Sequence, residues 1–480
     1  MTSSDDLPVI IAGAGPCGLV AALSLKRSGV PFVIYDRATS ARLCSNAGSG
    51  IDMAPVSAGV DFELLINSLT FECRNPQLPQ VAIKILDVEL EMSPEGMNRA
   101  MRPYDYSKFR HTYPGQGLNK AHCSILTPPP PREVLMFDSG GKKLTTYRLK
   151  EMKFKIGNRN FGFANRSDLQ HALLDELGLK DKNGQIVEGG PLHCGVAVAS
   201  YENRPGYVEV ELSTGDKVRG LALLACDGIH SAVRKRMYRD SDDSLSYCGQ
   251  VAWWGKTEVE KGSELERELK KMQKENAMED GNVSLSMMGT RKKPGIFFSC
   301  EVAEDVHAWV YVLKDNNPPA ANASNDLTRR GGVALSGVDK QKEMNKLVAS
   351  CPPVVKQIMT HASVDDVTRA GFFDRANLSL PYIDGRVALL GDAAHPQSPM
   401  MGQGANMAIV DGFVAAQRLA AVIAKPGAAP PAIERALADY DCDTRRKDNR
   451  AVIKKARKYG RWTTSNNVSL FLLWHIILEF

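Results

Sequence analysis

Leu7–Ala12 is a short unbroken apolar run rich in β-branched residues, and it ends at the glycines of Gly13-Ala-Gly15-Pro-Cys-Gly18. Helical apolar spacing follows over Gly18–Arg27, closed by Gly29, and Phe32–Tyr35 is a second unbroken run. Such runs suit strands buried on both faces, and the order strand, helix, strand predicts a parallel pair with a right-handed crossover. Arg166–Leu177 is again amphipathic, with Leu169, Leu173 and Leu177 on one stripe. The alternation of Tyr207–Leu212, the turn at Gly215 and the apolar Gly220–Cys226 predict antiparallel strands that return the chain to a buried sheet. Gln250–Trp254, Gly295–Glu301 and His307–Leu313 predict a second sheet, covered by helices such as the charged Ser263–Asn276. Gly385–Gly391 reads as another buried strand, and a long helix of small residues runs from about Gln403 to Ala424.

Between Asp61 and Gly157 this patterning weakens, broken by Thr127-Pro-Pro-Pro-Pro-Arg132 and Gly140-Gly141. That stretch reads as a substrate-side region carrying an insertion. The nucleotide-type elements therefore fall in three separate blocks, which predicts two interleaved domains rather than serial ones.

Composition changes this picture little. The 480 residues are 43% hydrophobic and 24% charged, ordinary for a globular protein able to bury large cores. The formal charge of +5 is too weak over this length to argue for nucleic acid. Its distribution says more: nine basic residues against the single acid Asp448 lie between Arg445 and Arg461, so the remainder is slightly acidic. The ten cysteines form no C-x-x-C pair and no Cys/His cluster at zinc spacing, which argues for a reducing compartment and against a structural metal. The N-terminus lacks the basic start of a signal peptide, so a cytoplasmic location is expected. Val468–Phe480 is apolar but too short to span a bilayer. It is expected either to pack on its own domain or a dimer mate, or to make peripheral contact with a membrane.

Three motifs carry candidate chemistry. Gly13, Gly15 and Gly18 form a G-x-G-x-x-G between strand and helix, with Asp36 eighteen residues beyond the last glycine. Glycines allow a pyrophosphate to approach backbone at a helix N-terminus, and an acid after the second strand can accept ribose hydroxyls, so the unit predicts dinucleotide binding. Cys226-Asp227-Gly228, leading to Arg234, follows a buried strand and opens a helix; alone it suits a plain turn as well as a ligand loop. The stretch from Gly391-Asp392 through His395, Pro399, Gly402 and Gly404 to Asn406 follows a third buried strand. There Asp392 can accept hydrogen bonds from a polyol, and the glycines before the long helix leave amides free for an anionic ring edge.

These three blocks, in this order, resemble the p-hydroxybenzoate hydroxylase-like flavoprotein monooxygenases, the aromatic hydroxylase family that includes salicylate hydroxylase and zeaxanthin epoxidase. The resemblance covers about residues 7–60, 157–260 and 371–460. It implies an α/β fold: a Rossmann-like FAD-binding domain (1–60, 157–245, 371–460) interleaved with a mixed-sheet substrate domain (61–156, 246–370), followed by C-terminal helices and an apolar tail, 461–480. It assigns Gly13, Gly15 and Gly18 to the FAD pyrophosphate, Asp36 with Arg37 to the adenosine ribose, and Gly50 to a flavin-side loop. Arg166 would reach the adenylate side, and Asp227 and Arg234 would belong to the motif linked to both FAD and NAD(P)H. Asp392 would hold the ribityl chain, Pro399 would sit near the reactive edge of the isoalloxazine, and Gly402, Gly404, Ala405 and Asn406 would line its pyrimidine end. Where many relatives carry Arg-Gly after an aromatic strand, this chain has Trp253-Trp254-Gly255-Lys256, which implies an unusual pocket floor.

The implied activity is NADPH- or NADH-dependent insertion of one oxygen atom from O2 into an aromatic or other electron-rich small organic substrate, through a flavin C4a-hydroperoxide. A reductase or oxidase on the same fold, or a non-catalytic FAD-binding partner protein, is the alternative. No general base is identified; His395 reads as structural, and Trp254 and Phe297 read as pocket wall or core.

Overall fold

The structure, a computed structural model, describes residues 7–44, 133–148, 166–316, 329–423 and 431–463, apart from 276–283, 289–294, 442–445 and a few single positions or pairs. Gly50, Gly402, most of the 61–156 insertion and the tail beyond residue 463 lie outside the described residues, as do the side chains of Arg166 and Asn406.

The chain opens with β1 (Val9–Ala12), α1 (Pro16–Arg27), β2 (Phe32–Asp36) and the single turn α2 (Ser40–Leu43). Strands β3 (Glu133–Phe137) and β4 (Lys143–Arg148) and helix α3 (Arg166–Glu176) follow. Next come β5 (Leu192–Cys194), β6 (Val198–Arg204), β7 (Tyr207–Leu212), β8 (Lys217–Gly220), β9 (Ala222–Ala225) and α4 (Ala232–Met237). The middle of the chain supplies β10 (Leu245–Glu258), α5 (Glu264–Glu275), β11 (Ser284–Met288), β12 (Gly295–Ala303), β13 (Val306–Lys314), the small pair β14 (Arg329–Arg330) and β15 (Val333–Ala334), α6 (Gly337–Val348), α7 (Pro353–Thr360) and β16 (Thr368–Arg375). The last elements are β17 (Ile383–Asp384), β18 (Val387–Leu389), α8 (Gly404–Ile423), α9 (Pro431–Tyr440) and α10 (Arg446–Thr463).

Two main sheets result. The first has the order β17-β18-β9-β1-β2-β5, parallel except for the β17–β18 hairpin. Every residue of β1, β9 and β18 is buried, which explains why these strands read as continuous apolar runs rather than alternating ones. Helix α1 starts with Pro16 in its first turn, where no amide is needed, and packs tightly against α8. A Cβ on Gly412 of α8 would lie 2.3 Å from the Cys17 carbonyl oxygen, so the small residues of the long helix serve close helix packing. The alternating segment forms a separate three-stranded sheet, β6-β7-β8, and Gly220 passes the chain directly into β9.

The second sheet has the order β16-β10-β13-β12-β11-β3-β4. Its strands β3 and β4 come from a stretch whose sequence pattern is weak, and β3 joins β11 in parallel. One face, with Trp253, Phe297, Trp309 and Tyr311, packs on α5, α6 and α7 as a second core. The opposite face gathers Ala252, Val310, Val312 and Phe372, with Trp254, Ile296, Phe298 and Met400 packed against them. Met400 adjoins Pro399, so this face abuts the loop that leads into α8. Phe297 is therefore core, whereas Trp254 belongs to the loop-facing side.

The basic segment is helix α10, and part of its charge is used internally. Arg450 donates to the Leu378 carbonyl, and Arg457 donates to Asp374 and to the Arg375 carbonyl. Ile453, Ala456 and Gly460 face inward, and buried Gln250 of β10 donates to the Gly460 carbonyl at 2.8 Å. Lys454, Lys455, Lys458 and Arg461 remain exposed. Among the described residues, no helix is long and apolar enough to cross a membrane, and no group of acids, histidines and cysteines could hold a metal ion.

Candidate cofactor site

Ala12, Ala225 and Leu389 end β1, β9 and β18 side by side in register. Strands in a sheet are about 4.8 Å apart, so the three loops that follow leave from neighbouring points on one edge. The chain winds outward from β1 to β2 on one side and to β9 on the other, and the carboxyl end of such a reversal is where open α/β sheets bind ligands.

The first loop is shaped by its glycines. Gly13 has φ +101°, and a Cβ there would lie 2.5 Å from the Cys226 carbonyl oxygen; one on Gly18 would lie 2.0 Å from the Gly13 carbonyl oxygen. Gly15 differs, because a Cβ there would meet nothing within 4 Å. Two glycines are thus required by the fold, and the third faces open space at a helix N-terminus, as a bound pyrophosphate needs. Asp36 secures this turn: Ala14 N–H donates to Oδ2 and Ala38 N–H to Oδ1, both at 2.6 Å. Each carboxylate oxygen keeps a further lone-pair direction for a ribose hydroxyl. Gln170 of α3, which sequence reasoning missed, donates to the Ala14 carbonyl at 2.7 Å. Arg37 is exposed beside Asp36.

In the second loop Asp227 Oδ2 accepts from Ala232 N–H at 2.9 Å, and Ser231 Oγ accepts from Arg234 N–H at 2.9 Å, which together start α4. Asp227 Oδ1 is buried and has no hydrogen-bond partner, and burial raises the carboxyl pKa above its ordinary value. An acceptor held this way at the sheet edge suits a ligand hydroxyl. Arg234 is buried, donates to the Ile229 carbonyl at 2.7 Å and pairs with Asp243 at 3.2 Å, so its charge is engaged inside the protein.

The third loop begins at Gly391, φ +56°, where a Cβ would lie 2.9 Å from Ala408 of α8. Asp392 lies partly buried in the short turn Gly391–Ala393, and Pro399 opens another at Pro399–Met401. Gly404 and buried Ala405 begin α8, with Asn406 in the same first turn. His395 is buried and contacts Asp411 of α8 through Nε2, while Asp411 also accepts from Gly391 N–H at 3.0 Å. Asp411 thus ties the first part of the loop, Gly391 and His395, to α8, a structural use of the histidine.

Arg375, at the end of β16, was invisible as a site residue. It donates to the Ala394 carbonyl of the third loop and pairs with Asp243 at 3.0 Å. Asp243 thus joins the second and third loops through two arginines. A buried arginine at a strand end has no periodic signature, so only its partners could have revealed it.

The family described as FAD binding domain matches residues 202–452, more than half of the chain. The chain belongs to this FAD-binding family. The FAD-binding chain is 23% identical over 423 residues to an aurachin C monooxygenase/isomerase of Stigmatella aurantiaca, covering 88% of this chain and 83% of that one. Its fold matches that of Klebsiella pneumoniae HpxO complexed with FAD and uric acid, with a TM-score of 0.63 and 21% identity over 98% of this chain and 92% of the other. A salicylate hydroxylase substrate complex gives a TM-score of 0.60 at 18% identity, covering 96% and 90%. The FAD-binding chain is an oxidoreductase, an FAD-dependent monooxygenase with the p-hydroxybenzoate hydroxylase-like fold.

Proposed function

We propose that this chain oxygenates a small aromatic or similarly electron-rich organic molecule at the expense of NADH or NADPH and O2. The observation that carries the reading is the convergence of three motif loops on one sheet edge, next to an apolar, aromatic face of a second sheet. The α1 N-terminus with Gly13, Gly15 and Gly18 would hold the FAD pyrophosphate, and Asp36, with Arg37 beside it and Arg166 on the adenylate side, the adenosine. Asp227 would offer its unpaired oxygen at the sheet edge and Asp392 would take the ribityl chain. The Pro399–Asn406 segment, with Gly402, Gly404 and Ala405, would line the ring. The chemistry supplied there by bound FAD is hydride acceptance from NADH or NADPH and activation of O2. This chain's own part would be to orient substrate against the ring and keep water out, a role that the apolar character of the cluster of Ala252, Val310, Val312 and Phe372 supports. Free thiols such as Cys17, Cys44 and Cys226 agree with a reducing compartment, and we assign the chain to the cytoplasm.

Purified FAD-loaded protein incubated with NADH or NADPH and a panel of phenols, quinolones and purines tests the reading. At least one compound should accelerate coenzyme oxidation and yield a product carrying one atom of isotope-labelled O2. Coenzyme oxidation that no compound stimulates, or product without the label, sinks it.

A further inference from the structure

Successive strand residues point to opposite faces, and β10 therefore sends its two adjacent tryptophans to different places. Trp253 enters the core with Phe297 and Trp309. Trp254 packs instead with Phe372, Phe298 and Met400 on the side of the Pro399 loop. Its ring lies nearly parallel to that of Phe372, with an interplanar angle of 13° and ring centroids 6.4 Å apart.

Two of this sheet's described indole N–H groups, those of Trp309 and Trp254, have different fates. On the core face Trp309 Nε1 donates to Thr257 Oγ1 at 3.1 Å. On the loop-facing side Trp254 Nε1 is shielded from solvent and has no acceptor. A buried donor without an acceptor is destabilising, and buried indole N–H groups ordinarily find a partner. The side chains packed around it are apolar: Ala252, Val310, Val312, Phe372, Ile296, Phe298 and Met400, with Cys248.

We propose that Trp254 determines substrate specificity: its indole N–H donates to a carbonyl or phenolic oxygen on an aromatic substrate whose ring lies against the wall formed by Trp254 and Phe372. This rests on the oxygenation reading above and adds a requirement on the substrate. A site with a buried donor discriminates strongly against an analogue that lacks the matching acceptor.

Binding of 1-naphthol, 4-quinolone and naphthalene to FAD-loaded wild type and Trp254→Phe, read by equilibrium dialysis and flavin absorbance, tests this. The variant keeps the aromatic wall and removes only the donor. It should bind both oxygenated probes about tenfold more weakly and naphthalene unchanged, tenfold being about 1.4 kcal/mol. In 15N-labelled wild type, one indole N–H resonance should move downfield with the oxygenated probes and not with naphthalene, a readout that survives poor folding of the variant. Equal weakening for all three probes, no weakening, no binding of either oxygenated probe, or an unmoved resonance overturns the proposal. Because binding is read without turnover, its failure is distinct from an absence of oxygenation.

Discussion

Asp243 holds two buried arginines at once, with Oδ2 3.2 Å from Arg234 Nε and Oδ1 3.0 Å from Arg375 Nε. Arg234 belongs to the helix after the Asp227 loop, and Arg375 donates to Ala394 in the Asp392 loop. One carboxylate is therefore shared by two cations that brace two loops of the candidate cofactor site. Asp243→Asn removes the carboxylate that both buried guanidinium groups share, and the expected loss is about 3–5 kcal/mol of stability. Urea denaturation of the FAD-loaded protein measures it, and FAD should be lost earlier in the transition than in wild type.

The three fingerprint glycines should separate by role. Gly18→Ala forces a Cβ to within 2.0 Å of a carbonyl oxygen and should destabilise the chain even without FAD. Gly15→Ala meets no protein atom within 4 Å, so the FAD-free protein should melt as wild type does, while FAD affinity falls at least tenfold. Calorimetry on FAD-free protein and titration with FAD distinguish the two; a Gly15→Ala variant with normal FAD affinity would count against the pyrophosphate assignment.

His307, buried on β13, has its pKa lowered from the ordinary 6.5 to about 4 because burial penalises the charged ring. The unfolded chain binds the proton first as pH falls, so stability is full above about 6.5 and declines toward pH 4. At pH 5 the contribution lost is about 2 kcal/mol. Denaturation curves at pH 7 and pH 5 should show that decline in wild type and a smaller one in His307→Gln.

Asp411 on α8 accepts from Gly391 N–H and contacts His395, and its other oxygen accepts from Asn449 at 3.4 Å. Asp411→Asn keeps the shape but replaces one acceptor oxygen with a donor, costing about 1–3 kcal/mol. Since the effect reaches FAD through the Gly391–Met401 loop, FAD should dissociate faster, while the shape of the pH–rate profile stays that of wild type. A profile that loses a limb would make His395 part of the proton chemistry instead.

Much of the dinucleotide unit is legible without coordinates, because β1, β2 and their glycine turn are adjacent in the chain and a twice-buried strand must be apolar throughout. The strands Glu133–Phe137 and Lys143–Arg148 were not, since each is short and acquires its place only by pairing with distant Ser284–Met288 and with its neighbour. The same applies to Gln170, whose role depends on a carbonyl 156 positions away.

Local constraints settle within the sequence itself: where backbone must turn with positive φ, where a strand is buried on both faces, and which loops carry acids and glycines. That was enough to name a dinucleotide-binding unit and its three loops. Which groups those loops enclose was a matter of tertiary structure alone. Trp253 and Trp254 are neighbours of the same type, and only the pairing of β10 with β13 and β16 sends one to the core and the other toward the Pro399 loop. Likewise Asp243 is one acid among many until folding buries it between Arg234 and Arg375, because the energy of a buried charge depends on partners that chain order does not reveal.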